Sequence, residues 1–227
     1  MAKAPLTRQR LKTPRAAAVA GILFALLMGT ALLLIRLSIP TDTSDTGAWL
    51  EGQGSLVSLA LSLVPFAGIA FLWFMGVVRD RLGHQEDQLF STVFFGSGLL
   101  YLGLQFVSAA LAGGLLADVA LNPGKLAANS TYTFGRQLMY QTSNIYALRM
   151  SGVFMITLAT ISLRTGIMPR WMAFGTYALA LILLVSVSLS VWFTFIFPAW
   201  VLVISVYILT ENLRHQSAST ESGPETA

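Results

Sequence analysis

The sequence contains no cysteine, which excludes disulfides, thiolate metal sites and cysteine nucleophiles. A chain without thiols suits either redox environment, so this absence names no compartment. Histidine is nearly missing too: His84 and His215 are the only two, and both fall in polar segments. Charge is scarce, with 11% charged residues against 55% hydrophobic ones in a chain of 227. A soluble domain of this size needs more charge to cover its surface. The net charge of +4 sits on short polar segments and forms no basic face with interleaved aromatics, so nucleic acid is not an expected partner.

Long apolar runs are what the sequence has instead. A run of about 20 residues crosses the hydrocarbon core. Such runs cover roughly 16–35, 55–78, 89–117, 139–163, 172–190 and 193–210. They are apolar nearly all round and lack the polar face of a soluble core helix. The expected fold is therefore all-α: a polytopic membrane helix bundle with six transmembrane helices. It divides into a basic arm (1–15), a six-helix domain (16–210) and a polar, disordered tail (211–227). The first run follows basic residues, as in a signal peptide. It is longer than a signal core and no clear small-residue cleavage site follows, so it reads as an uncleaved span.

Between the runs lie an acidic loop (37–54), a short charged loop (79–88), a longer polar loop (118–138) and RTGIMPRW (164–171). The spacing predicts a kink at Pro65, packed against a neighbouring helix. Pro198 is expected to bend or start the sixth helix, and Trp192, Phe193, Phe195, Phe197 and Trp200 to gather near the interface at the last tight turn. With the N-terminus inside, Lys3, Arg8, Arg10, Lys12, Arg15, Arg79, Arg81, Arg164, Arg170 and Arg214 are cytoplasmic, which is ten of the 14 Lys and Arg. Asp42, Asp45, Glu51 and Asp118 fall outside, so both termini are expected in the cytoplasm.

Ala17, Gly21, Ala25 and Gly29 recur at four-residue spacing on one helical face, and the third run is also rich in small residues. Small faces let helix backbones approach closely in lipid. They serve packing within one bundle or, alternatively, a seam between two copies.

No span contains Asp, Glu, His or Lys. Haem ligation by facing histidines, a retinal Schiff base and coupling by buried carboxylates all lack their residues. There is no HExxH cluster, and no histidine is placed to activate a serine. The mixed charges of Arg79, Asp80, Arg81, His84, Glu86 and Asp87 have no ligand spacing. The chain is thus expected to be non-enzymatic, with no cofactor and no metal.

One charge does lie inside a span. Arg149 is 14 residues from Leu163, about 21 Å along the helix, and Gln105 is 16 residues from Leu89, about 24 Å. Thr30 and Ser62 fall at a similar level, with Asn144 just above. Arg149, Gln105, Asn144, Ser62 and Thr30 are the candidate ligand-binding residues: a polar pocket open to the outside and floored by Arg149. Guanidinium there favours an anionic ligand. Alternatively Arg149 snorkels to the headgroups or pairs with Asp118 and backbone carbonyls.

The segment RTGIMPRWMAFGTYALAL (164–181) also has a mechanical reading. Arg164 complements a helix C-terminus, Gly166 caps it, Pro169 suits the first turn of the next helix, and Arg170 with Trp171 anchors the interface. The same pattern resembles an inner loop of uncharacterised bacterial six-helix membrane proteins, grouped only as a domain of unknown function. That resemblance implies a multi-pass protein of the bacterial inner membrane and supplies no activity. Two functions follow as expectations. The first is an accessory, assembly or regulatory subunit whose partners are the lipid bilayer and other membrane proteins or a second copy. The second is a small transporter, channel or receptor using the Arg149 pocket.

Overall fold

The computed structural model describes residues 13–38, 49–82, 88–121, 130–166, 168–185 and 191–221. All regular structure among them is helical. Helices α1 (Thr13–Ser38), α2 (Trp49–Leu82) and α3 (Gln88–Leu121) come first. Next, α4 (Ser130–Tyr140), a π-helical segment (Gln141–Ala147) and α5 (Leu148–Thr165) run on as one rod. Then comes α6 (Arg170–Val185). A 3-10 segment (Val191–Phe195) leads into α7 (Ile196–Glu221). Five of these six rods are long and apolar enough to cross a membrane. The chain is an all-helical membrane protein.

Several expected boundaries move. The loop expected over 118–138 is helical at both ends, because α3 continues to Leu121 and α4 begins at Ser130. Hydropathy locates the hydrocarbon-spanning stretch of a helix, whereas the helix itself continues wherever its polar residues still meet water or a neighbour. Here Tyr132 is buried and Gly135 lies against Leu115 of α3, so α4 is held by packing. Of the fifth run, the described part lies in α6, 16 residues and about 24 Å long, and 186–190 lie outside the described residues. The tail expected to be disordered from residue 211 continues α7 as far as Glu221, while 222–227 lie outside the described residues. Residues 1–12 of the basic arm, and His84 and Glu86, also lie outside them. Pro65 sits in an unbroken α2 with its ring exposed, so the expected packing of that proline against a neighbour is corrected. Pro198 is buried in the first turn of α7, as a helix-starting proline should be.

α1 packs on α2, α2 on α3, α3 on the α4–α5 rod and α5 on α6, and α1 also packs on α7. Where lipid tails are as apolar as the side chains, close packing is what holds helices together. The small face of α1 does this: Ala17, Gly21 and Ala25 are buried, and a Cβ at Gly21 would collide with Ser205 Oγ of α7. Gly29, at the end of that stripe, has open space beside it.

The centre of the bundle is aromatic. Phe24 and Phe71 lie 4.7 Å apart between ring centroids, Tyr101 and Phe197 4.5 Å, and Phe94 and Phe154 4.6 Å. Phe71 of α2 touches rings from α1, α3, α5 and α7. Phe197 and Trp200, expected at the interface, join this core. Trp200 stacks on Phe197, and its Nε1 donates to Thr176 Oγ1 of α6 at 2.9 Å. A buried indole needs such an acceptor, and the bond ties α6 to α7.

The α5–α6 connection matches the mechanical reading. Gly166 caps α5 at φ 70°, its N–H donating to Ser162 O at 2.9 Å. The Pro169 carbonyl accepts from Met172 and Ala173. Arg164, in the last turn of α5, lies over the Phe90 ring at 4.6 Å. Replacing Gly166 with alanine puts a Cβ in the left-handed region, at a cost of about 1 kcal/mol. A lowered unfolding midpoint in neutral detergent, with unchanged helix content, is the expected result.

Candidate functional site

A cavity of about 350 Å³ opens at the end of the bundle that carries the α1–α2 and α3–α4 connections. That volume lies in the range of small-molecule sites, roughly 300–1,000 Å³. Its walls differ in character. Met28, Ala31, Leu32 and Ile35 of α1, with Leu61 and Val64 of α2, form an apolar side. Gln105 and Ser108 of α3, with Gln137, Tyr140, Ser143 and Asn144 of the α4 rod, form a polar side. The lining holds two cations, Arg36 and Arg136, and no carboxylate among the described residues.

Depth follows from helix register. Met28 lies one turn above Phe24 of the aromatic core, and Gln105 one turn above Tyr101. These residues mark the floor. Arg36 is eight residues above Met28 and Arg136 eight above Asn144, so both arginines stand about 12 Å higher, at the rim. Arg36 also lies 5.9 Å from the ring centroid of Trp192, which is 57% exposed. An exposed indole paired with guanidinium is typical of the membrane–water boundary. The cavity therefore opens at the Arg36–Trp192 end of the bundle and descends toward its aromatic core.

The polar wall owes its form to the π-helical segment. A π turn moves backbone bonding from i→i+4 to i→i+5. The carbonyls of Leu138, Met139 and Tyr140 at its start each accept a side-chain bond: from Thr142 Oγ1 at 2.7 Å, Ser108 Oγ at 3.1 Å and Asn144 Nδ2 at 3.2 Å. Ser143 Oγ donates to Gln105 Oε1 at 2.8 Å, and Gln105 Nε2 reaches Tyr101 Oη at 3.4 Å. The polar chain thus runs from the cavity into the aromatic core. Opposite it, Thr194 and Phe195 of the 3-10 segment complete the lining, and the 3-10 and π segments pack on one another.

The five expected site residues separate on this geometry. Gln105 and Asn144 line the cavity. Arg149 is half-buried and outside the lining, so it is not the floor. Thr30 and Ser62 are exposed on the outer faces of α1 and α2, and Ser62 Oγ turns back to Leu59 O at 2.7 Å. Arg36 and Arg136 supply the cationic character that was expected from Arg149. In the sequence Arg136 falls within the polar stretch 118–138, and Arg36 falls at the end of the first apolar run. Tyr132, Arg136, Tyr140 and Ser143, spaced four and three apart, were the signal that the polar stretch continues the helix and turns one face inward.

No family model, curated protein or solved structure matches this chain. The cavity's own geometry is the basis for a functional reading.

Proposed function

We propose that the protein binds a small ligand within the membrane, as a transporter or receptor, in the cavity rimmed by Arg36 and Arg136. One observation carries the reading: the two departures from α-helical geometry, Gln141–Ala147 and Val191–Phe195, meet and both line the cavity. Non-α backbone at membrane depth is tolerated where it lines a cavity or is buried in protein. Discontinuous helices mark substrate sites in transporters, and π turns concentrate at functional sites. The proposal extends to the bacterial inner membrane, with both termini cytoplasmic. That placement rests on the RTGIMPRW likeness and the distribution of positive residues. The cavity would then face outward.

The absence of native thiols makes a direct test available. Ala109→Cys, inside the cavity, should react with a membrane-impermeant thiol reagent added from the Arg36 end. Phe154→Cys, in the aromatic core, should not react. If Ala109→Cys stays unlabelled in intact and in solubilised membranes, the cavity is a closed void and the reading falls. Particle composition after gentle solubilisation addresses the accessory-subunit alternative, which requires stoichiometric partners.

A further inference from the structure

We infer that the ligand is a compact amphiphilic anion: a carboxylate or phosphate held at the arginine rim, on a body with one hydrocarbon flank and one hydrogen-bonding flank. This rests on the reading of the cavity as a ligand site and deepens it. Arg36, a lining guanidinium set over the Trp192 ring, sets the charge. Guanidinium pairs in a fork with carboxylate and phosphate oxygens, and the low dielectric at the membrane boundary strengthens that pairing. Trp192 steadies that guanidinium at the rim.

The body follows from the walls. A free inorganic anion would leave the deeper 12 Å of the cavity unfilled. A plain hydrocarbon chain would fill it but bury the wall of Gln105, Ser143 and Asn144 without partners for their spare donors and acceptors. Gln105 Oε1 accepts from Ser143, Gln105 Nε2 is bonded to Tyr101, and Asn144 Nδ2 donates to Tyr140 O. The Asn144 carbonyl oxygen and the remaining amide protons are available to a hydroxyl or amide on the ligand. The opposite wall, Met28, Ala31, Leu32, Ile35, Leu61 and Val64, offers only methyl and methylene groups. A molecule that satisfies both walls is polar along one edge and at one end, and apolar along the other edge.

The test uses the full chain in nanodiscs of phosphatidylcholine and four probes: 10-hydroxydecanoate, decanoate, the methyl ester of 10-hydroxydecanoate, and inorganic phosphate. Binding is read by protection of Ala109→Cys from the thiol reagent. The hydroxy acid should protect best, decanoate about tenfold less, and the ester and phosphate least. Arg36→Gln should weaken the hydroxy acid about tenfold while leaving the ester unchanged. The unfolding midpoint of the variant, measured alongside, separates lost binding from lost folding, and Arg36→Lys should recover part of the affinity.

Repeating the assay with phosphatidylglycerol in the nanodisc identifies the source of the anion. Competition assigns a membrane lipid, and its absence a free amphiphile. Protection by the ester equal to that by the acid would overturn the anion. Protection by phosphate alone would overturn the amphiphile. If Ala109→Cys is labelled but no anionic probe protects it, this inference falls and the open cavity stands. If it is never labelled, the cavity reading itself falls.

Discussion

Phe71→Ala should be among the most destabilising single substitutions in the bundle, lowering stability by about 3 kcal/mol. Phe71 is fully buried and touches Phe24, Phe74, Tyr101, Phe154 and Phe197. Among the described residues only Phe197 joins as many rods. In water a truncation of this kind forfeits both transfer free energy and packing. Inside a bilayer the transfer part is nearly absent, since lipid tails are as apolar as the core. What remains is lost ring contact and the void left behind, so the loss should fall at the low end of the range for such truncations. Unfolding in mixed micelles should show it. Phe66→Ala, on an exposed ring of the same helix, should change the midpoint little. Equal effects from the two substitutions would show that the aromatic cluster is not the centre of stability.

Deleting Tyr146 should abolish ligand binding while sparing the fold. Tyr146 is exposed and lies in the π-helical segment. Such a segment holds one residue more than an α-helix would need over the same rise, so removing one lets the rod close as continuous α-helix. The flanks keep their register: α5 is anchored by Phe154, Met155 and Leu158 in the core, and α4 by Tyr132. The bulge itself disappears, and with it the positions of Ser143 and Asn144 on the cavity wall. Losing two polar contacts at about 1.4 kcal/mol each corresponds to about a hundredfold loss of affinity. Protection of Ala109→Cys by a bound ligand should vanish, with the unfolding midpoint preserved. Deleting Thr160 from regular α5 is the contrasting case. It would rotate every residue beyond it by about 100° and should prevent assembly. Full binding after loss of Tyr146 would remove the π segment from the site.

These outcomes depend on features of unequal visibility in the sequence. Apolar length marked the membrane spans, and Gly166 with Pro169 marked the α5–α6 turn, because each rests on a local backbone requirement. Helical rise placed Gln105 in a polar layer with Asn144 just above it, and both line the cavity. The same arithmetic put Thr30 and Ser62 at that depth, yet they face outward. Rise fixes height along a helix, but which neighbour a residue faces depends on how the rods are arranged about one another. Arg149 was misplaced for a related reason. A π turn lies between it and Asn144, so counting in α-helical steps misassigns the direction of one of the two. The turn has no composition signature: QTSNIYA differs little from other polar helix starts. Arg136 was hidden by hydropathy, which treats a polar stretch beyond a span as loop even when its spacing is helical.

The pairing of α1 with α7 bears on how the protein is made. Gly21 and Ser205 meet although most of the chain separates them. During synthesis α1 enters the membrane before α7 and waits through four intervening rods for this partner. Until α7 emerges, the Gly21 face of α1 adjoins lipid, and the aromatic cluster lacks both Phe197 and Trp200. A nascent chain paused after α6 therefore has the α1–α4 walls of the cavity but neither the 3-10 segment that completes the lining nor the closing helix, and its exposed small-residue face can pair wrongly. Native packing of α1 is reached on arrival of α7. Insertion of α7 is then the committing step of biogenesis, and substitutions at the Gly21–Ser205 contact should reveal themselves first as chains that insert fully and are degraded before they mature.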